Sequence, residues 1–397
     1  MRPFILAILT LAASSVAQGQ TSAWVGQTVV MKYPKPLMAN GHIVDNGFAY
    51  RIYTVKNASG KQLLLNSGAV SGWIDAADVV ARDGAVEFYT QEIRRNPSNV
   101  LAHNLRALSW HHQGEIDRAI LDYNEAIRLD PTNAAPYNNR GTAFMRIKLY
   151  DNAIADFDHV IEMNQNDPMP LNNRGTAWNQ KKEYEKAIAD FNAALRLDPK
   201  NVSAYCGRGD AWLHSGKNDL AAVDYSFAIG YDPTNPRVYN ARGYVYKRNR
   251  DYEHALADFD EALRLDPKFG LAYKNRGQTR IIRKEYEQAL ADLGESIRFD
   301  PNGESLNDKA WLLATSPDGK LRDGAQAVEL ATRACTLGNW TNAGWLDTLA
   351  AAYAEAGNFD KAIETQEKAL KLATATLRGE FEARLALYRE QKPYRLP

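Results

Sequence analysis

Apolar positions along most of the chain recur at helical spacing, and the pattern itself recurs. In residues 168–201 one stripe runs through Leu171, Arg174, Gly175 and Trp178, and a second through Ala187, Phe191 and Ala194 before Asp198-Pro199. Each stripe predicts an amphipathic helix, and the proline, which cannot continue a helix, closes the unit. The same signals return every 34 residues. Arg-Gly falls at 140–141, 174–175, 208–209, 242–243 and 276–277; Asp-Pro falls at 130–131, 198–199, 232–233, 266–267 and 300–301. Ala119, Ala153, Ala187, Ala221, Ala255 and Ala289 keep the beat, with Tyr123, Phe157, Phe191, Tyr225 and Phe259 four positions later. Self-similarity of this kind predicts stacked helix pairs, in which small residues at the crossing admit the large aromatics beside them.

These residues resemble the tetratricopeptide repeat (TPR) family. Its pattern asks for aromatic, Leu, Gly and aromatic on a first helix, then Ala, aromatic, Ala and Pro on a second. Regular copies start near Val100, Ala134, Pro168, Val202, Pro236 and Gly270; the first departs, with Ala107 for Gly and His103 for the aromatic. Two degenerate units follow, one marked by Ala310 and one by Leu346, Ala350, Tyr353, Ala362 and Ala369. The resemblance implies a mainly α fold: a right-handed solenoid of about eight helix–turn–helix units over residues 100–376, interrupted by a turn-rich insertion at 316–324. Residues 83–99 resemble a lone second helix and turn, with Ala85 and Tyr89 in phase. Residues 377–397 are expected to form a capping helix and tail that turns Glu, Arg and Lys outward.

Residues 20–82 read differently. Short apolar or alternating runs at Val25–Met31, Ala49–Val55 and Gln62–Leu65 are separated by Asn40-Gly41, Asn46-Gly47 and Ser59-Gly60, which predicts strands and tight turns. The closing stretch GWIDAADVV, residues 72–80, resembles the end of bacterial SH3-like domains. That resemblance implies a small five-stranded all-β barrel, which either binds peptide or cell-wall material or caps the solenoid, with Trp73 in its core or its groove. Ahead of it, Met1 and Arg2 precede an apolar run, Phe4 to Ala13, and small residues from Ser14 to Ala17. Residues 1–19 therefore read as a secretory signal peptide, the run being shorter than the roughly 20 residues that span a bilayer. The expectation is an exported protein, periplasmic or secreted, with no membrane span once the signal is removed.

Charge and chemistry narrow the function. Lys plus Arg and Asp plus Glu number 48 each, so there is no basic excess of the kind nucleic acid attracts. Cys206 and Cys335 stand alone and read as free thiols; His103, His111, His112 and Glu115 lack the spacing of a zinc site. No nucleotide loop or nucleophile elbow occurs, so neither an enzyme nor a cofactor is expected.

Two ladders stand out from the repeat grid. Arg106, Arg140, Arg174, Arg208, Arg242 and Arg276 occupy the place where the family carries Leu. Asp122, Asp156, Asp190, Asp224, Asp258 and Asp292 answer them on the second helices. A buried guanidinium needs a hydrogen-bonded anion, so the ladders are expected to pair, within a repeat or between neighbours. Asn104, Asn138, Asn172, Asn240 and Lys274 share one position on the first helices, and Asn139, Asn173 and Asn275 the next. In the family these positions line the concave groove. Amides there either grip the backbone of an extended peptide or simply face solvent. The expected function is a non-enzymatic scaffold for a protein or peptide partner. The alternative is envelope attachment through the SH3-like domain, with the solenoid as spacer.

Overall fold

Most helix pairs start where the sequence supplies a cap. Asn99, Asn133, Asp167, Asn201 and Asn235 accept a backbone N–H from the first turn of the helix that follows, satisfying a donor that has no intrahelical partner. The computed structural model describes residues 23–39, 42–45, 52–67 and 70–397; the expected signal peptide and the Asn40-Gly41 and Asn46-Gly47 turns lie outside them. Among the described residues are 18 helices and seven strands, in two compact units that divide after Leu197.

The first unit opens with a sheet. Strands β1 (Thr28–Met31), β2 (Leu37–Ala39), β3 (His42–Asp45), β4 (Tyr53–Ser59), β5 (Gln62–Asn66), β6 (Ser71–Asp75) and β7 (Val79–Ala81) are ordered β3-β2-β6-β5-β4-β1-β7, and every described pairing is antiparallel. The expected five strands are thus seven. Several are three or four residues long, too short to leave a readable alternation. GWIDAADVV supplies β6, a 3-10 turn and β7, while Trp73 is half-buried opposite Met38 and Leu64. Strand β1 is buried on both faces: Val29 and Met31 join Tyr53, Val55, Leu63 and Leu65 in the sheet's core, and Val30 turns to the helices.

There it meets α1 (Ala85–Arg95). Ala85 and Tyr89 pack with Val30 and Leu105, and the Tyr89 hydroxyl donates to the Met31 carbonyl at 2.9 Å. Three helix pairs follow: α2 (Val100–Gln113) with α3 (Ile116–Leu129), α4 (Ala134–Arg146) with α5 (Tyr150–Met163), and α6 (Pro168–Gln180) with α7 (Tyr184–Leu197).

The second unit holds five more pairs. They are α8 (Val202–His214) with α9 (Asn218–Tyr231), α10 (Pro236–Arg248) with α11 (Tyr252–Leu265), and α12 (Gly270–Ile282) with α13 (Tyr286–Phe299). Then come α14 (Gly303–Thr315) with α15 (Gly324–Leu337), and α16 (Ala343–Glu355) with α17 (Phe359–Leu372). Between α14 and α15 the insertion is tied down by Arg322, which donates to the Ser316 carbonyl and to Glu355. Helix α18 (Ala375–Arg389) closes the stack with Phe381, Leu385 and Tyr388 buried. It was expected to turn its arginines outward; Arg384 instead lies buried, donating to Asp347 at 2.8 Å. Asp347 is itself buried on α16, so the pair takes the guanidinium inward. After a turn at Gln391 the chain runs back, and the Leu396 amide donates to the Thr315 carbonyl at 2.8 Å. No described helix is long and apolar enough to cross a membrane.

The Arg-Gly glycines are set by close approach. A β-carbon on Gly141 would lie 2.6 Å from Cε1 of Phe157, and Gly209 and Gly243 face Tyr225 and Phe259 just as tightly. These rings are fully buried. Gly141→Ala should therefore lower the melting temperature. Overpacking costs about 1–3 kcal/mol, more than the roughly 1 kcal/mol of helix propensity that Ala gains. Adding Phe157→Leu should recover part of the loss, because the leucine at the equivalent place, Leu293 beside Gly277, leaves 3.2 Å. An unchanged melting temperature for the single variant would mean that the ring yields freely.

Candidate functional site

The two charged ladders meet within each repeat. Nε and Nη2 of Arg140 donate to the two carboxylate oxygens of Asp156 at 2.9 and 2.6 Å. Arg106–Asp122, Arg174–Asp190, Arg208–Asp224, Arg242–Asp258 and Arg276–Asp292 repeat this fork. For five of these arginines the remaining nitrogen, Nη1, reaches the helix before, the lone α1 for Arg106 and the second helix of the preceding pair for the other four. Its acceptors are Thr90 for Arg106, Asn124 for Arg140, Asp158 for Arg174, Ser226 for Arg242 and Asp260 for Arg276. Aromatic side chains flank the guanidinium, Tyr137 and Phe144 at Arg140, Tyr239 and Tyr246 at Arg242. The carboxylates are buried and the arginines about a fifth exposed.

The amides are not an open ladder. Asn139 Nδ2 donates to Asn104 Oδ1 at 3.1 Å, Asn173 to Asn138 at 3.1 Å, and Asn275 to Asn240 at 2.9 Å. Each bond joins the first helices of successive pairs, and Asn104, Asn240 and Asn275 are buried. The position expected to face a ligand therefore holds neighbouring helices in register, because an amide between two close helices finds its complement on the other. Asn172 keeps one of these positions, and its Oδ1 is buried with no hydrogen-bond partner.

In the second unit charged ties between first helices join the Asn275–Asn240 bond. Lys247 donates to Gln278 at 2.9 Å, and Gln278 donates to Asp308 at 2.8 Å. Lys274, expected in the groove, is paired with Glu304 at 2.5 Å. Burial holds Asp308 above the usual carboxylate range. Burial, and then the charge of Lys274, pushes the Lys247 ammonium down to about 8.

Other candidates fall away. Burial raises the Cys206 thiol to about 12 and the Cys335 thiol to about 11, the reverse of what a nucleophile needs. His103 is buried against the Pro97 carbonyl, and burial pushes His111 down to about 4. No metal-holding group is found among the described residues. One surface escaped the sequence reading: Leu220, Val223, Phe227 and Tyr231 form an exposed apolar stripe on α9. Its spacing is helical, but so is that of the buried Ala221, Tyr225 and Ala228 on the same helix, and periodicity alone credits every apolar residue to the core.

Family models fit this arrangement. Models described as tetratricopeptide repeat match residues 134–167, 236–269 and 346–376, and one described as TPR repeat matches 110–148 and 176–214. Over the matched residues the helical pairs of this chain are tetratricopeptide repeats. Among solved structures, a tetratricopeptide repeat protein from Parabacteroides merdae is 21% identical over 55% of this chain and 87% of that chain, with a TM-score of 0.48. YrrB, described as a TPR protein with an unusual peptide-binding site, is 21% identical over 47% of this chain and 96% of that one, with a TM-score of 0.38. A chain of the APC/C hetero-tetramer Cut9-Hcn1 is 13% identical over 75% of this chain and 58% of that one, with a TM-score of 0.53, a likeness of fold. No curated protein matches.

Within this TPR framework, Arg174→Ala strands two carboxylates, Asp190 and Asp158. Breaking such a pair is expected to cost about 2–4 kcal/mol, somewhat below the fully buried case because the guanidinium is partly exposed. A urea melt reads this directly.

Lys247 gives a test of opposite character. Its folded-state value lies below its ordinary 10.5, so the folded chain gives up a proton near pH 8 that the unfolded chain still holds. The penalty on the fold is full below pH 8 and disappears as pH rises to 10.5. Lys247→Met should therefore show its largest stability gain over the parent below pH 8, narrowing towards pH 10. A gap independent of pH would contradict this reading.

Proposed function

We propose that the protein is an exported, non-enzymatic scaffold that holds a protein or peptide partner on the face formed by the first helices of its repeats. The observation that carries this reading is that the face is built in advance. Its helices are tied to one another by Asn–Asn bonds in the first unit and, in the second, by the Asn275–Asn240 bond together with Lys247, Gln278 and Asp308. A surface ordered before binding loses little freedom on binding, which is where affinity for an extended segment is gained. Export rests on the pattern of residues 1–19, a charged start, an apolar run and small residues before the expected cut.

Thr142, Thr176, Tyr244 and Gln278 share one register on the first helices, and Thr176 and Tyr244 are exposed there. A photocrosslinking side chain at either position should capture a discrete partner in cells, whereas Glu185 and Lys186, exposed on a second helix, should not. Equal capture from both faces, or none from the first helices, would overturn the assignment.

A further inference from the structure

The stretch after α18 has no helix or strand of its own, yet it is seated residue by residue. Lys392 is held to the helix end through its amide, which donates to the Leu387 carbonyl at 2.9 Å. Tyr394 then lies against Trp311 of α14, with ring centroids 5.7 Å apart, and the Arg384 guanidinium covers both rings. Arg395 places Nη2 at 2.5 Å from Oε2 of Glu355 and donates from Nη1 to the Ala314 carbonyl. The Leu396 side chain joins the cluster of Ala289, Leu293 and Leu312, and its amide donates to the Thr315 carbonyl. Ala314 and Thr315 stand in the last turn of α14, where carbonyls have no intrahelical donor. The segment thus meets an aromatic platform, a carboxylate, an apolar pocket and two open carbonyls in three consecutive residues.

The charged groups that receive it are held by other partners. Arg384 is fixed under the platform by Asp347, which Gln366 also holds at 2.6 Å. Glu355 is paired through its other oxygen with Arg322 at 3.0 Å. When the segment leaves, Arg384 therefore keeps Asp347 and Glu355 keeps Arg322 through Oε1. A structural plug would show the opposite, a pocket with stranded charges once it was withdrawn. We propose that this cleft is a recognition site for extended segments carrying an aromatic–arginine–leucine triplet, and that residues 392–397 are its occupant in cis. The partner is a protein presenting that triplet, which takes the cleft by displacing the chain's own segment. The proposal deepens the scaffold reading, on which it rests, by giving one site and one ligand class. A tethered segment competes at an effective concentration on the order of millimolar, so the site is masked from weak ligands and open to strong ones.

The test compares the full chain with a chain ended at Gln391, using a fluorescent peptide of sequence KPYRLP. Saturable one-to-one binding to the shortened chain, at least tenfold weaker to the full chain, is expected. Glu355→Gln in the shortened chain, or alanine for arginine in the peptide, should each weaken binding at least tenfold. If shortening disturbs the fold, as circular dichroism would show, the full chain carrying Arg395→Glu and Leu396→Asp frees the cleft and gives the same reading. No binding by a folded chain with its cleft freed would overturn the proposal. A partner still crosslinked from Thr176 in that case would leave the scaffold reading standing.

Discussion

The repeats depend on one guanidinium shared among three helices. It sits on the first helix of a pair, forks onto an aspartate of the second, and sends its third nitrogen to the second helix of the pair before. Only arginine presents donors in that planar arrangement; lysine would satisfy one direction and abandon the others. Leucine, which the family carries here, would fill the space but give no direction. The aspartate is buried and the aromatics flank the charge, so the contact is shielded from water on most sides. Glycine follows because the arginine's helix must lie against the ring of Phe157 or its counterparts.

That interlock decides what the surface can do. Helices held in register bring Asn139 against Asn104 and Asn275 against Asn240, so amides that might have met a ligand meet each other. The proposed partner contacts then fall to residues beside this grid: Thr176 and Tyr244 along the first helices, and the cleft of Trp311, Glu355 and Arg384 where the chain's own Tyr394, Arg395 and Leu396 lie. In the last repeats the same need to pair a buried charge draws Arg384 inward from the capping helix to Asp347.

Much of the fold was readable because repetition multiplies weak signals. One Ala–aromatic pair says little; five in phase mark the helices, and caps at Asn99, Asn133, Asp167, Asn201 and Asn235 mark their starts. The partners of the third guanidinium nitrogen stayed hidden, because Thr90, Asn124, Asp158, Ser226 and Asp260 differ in type while sharing a place. The strands were undercounted because three-residue strands carry no period. The Asn positions were readable but their use was not: an amide facing a groove and an amide facing another amide have the same spacing. The seating of residues 392–397 left no sequence signal, since its contacts outside α18 lie about 40 to 110 positions away.

The most direct measurement is a double-mutant cycle on Arg174, combined in turn with Asp190 and with Asp158. Each cycle isolates the interaction from the cost of removing either side chain alone. A coupling of about 2 kcal/mol with Asp190, and a smaller non-zero coupling with Asp158, is the predicted result. Additive losses in both cycles would mean that the guanidinium fills space without joining the helices, and the account of the repeat interlock would be wrong.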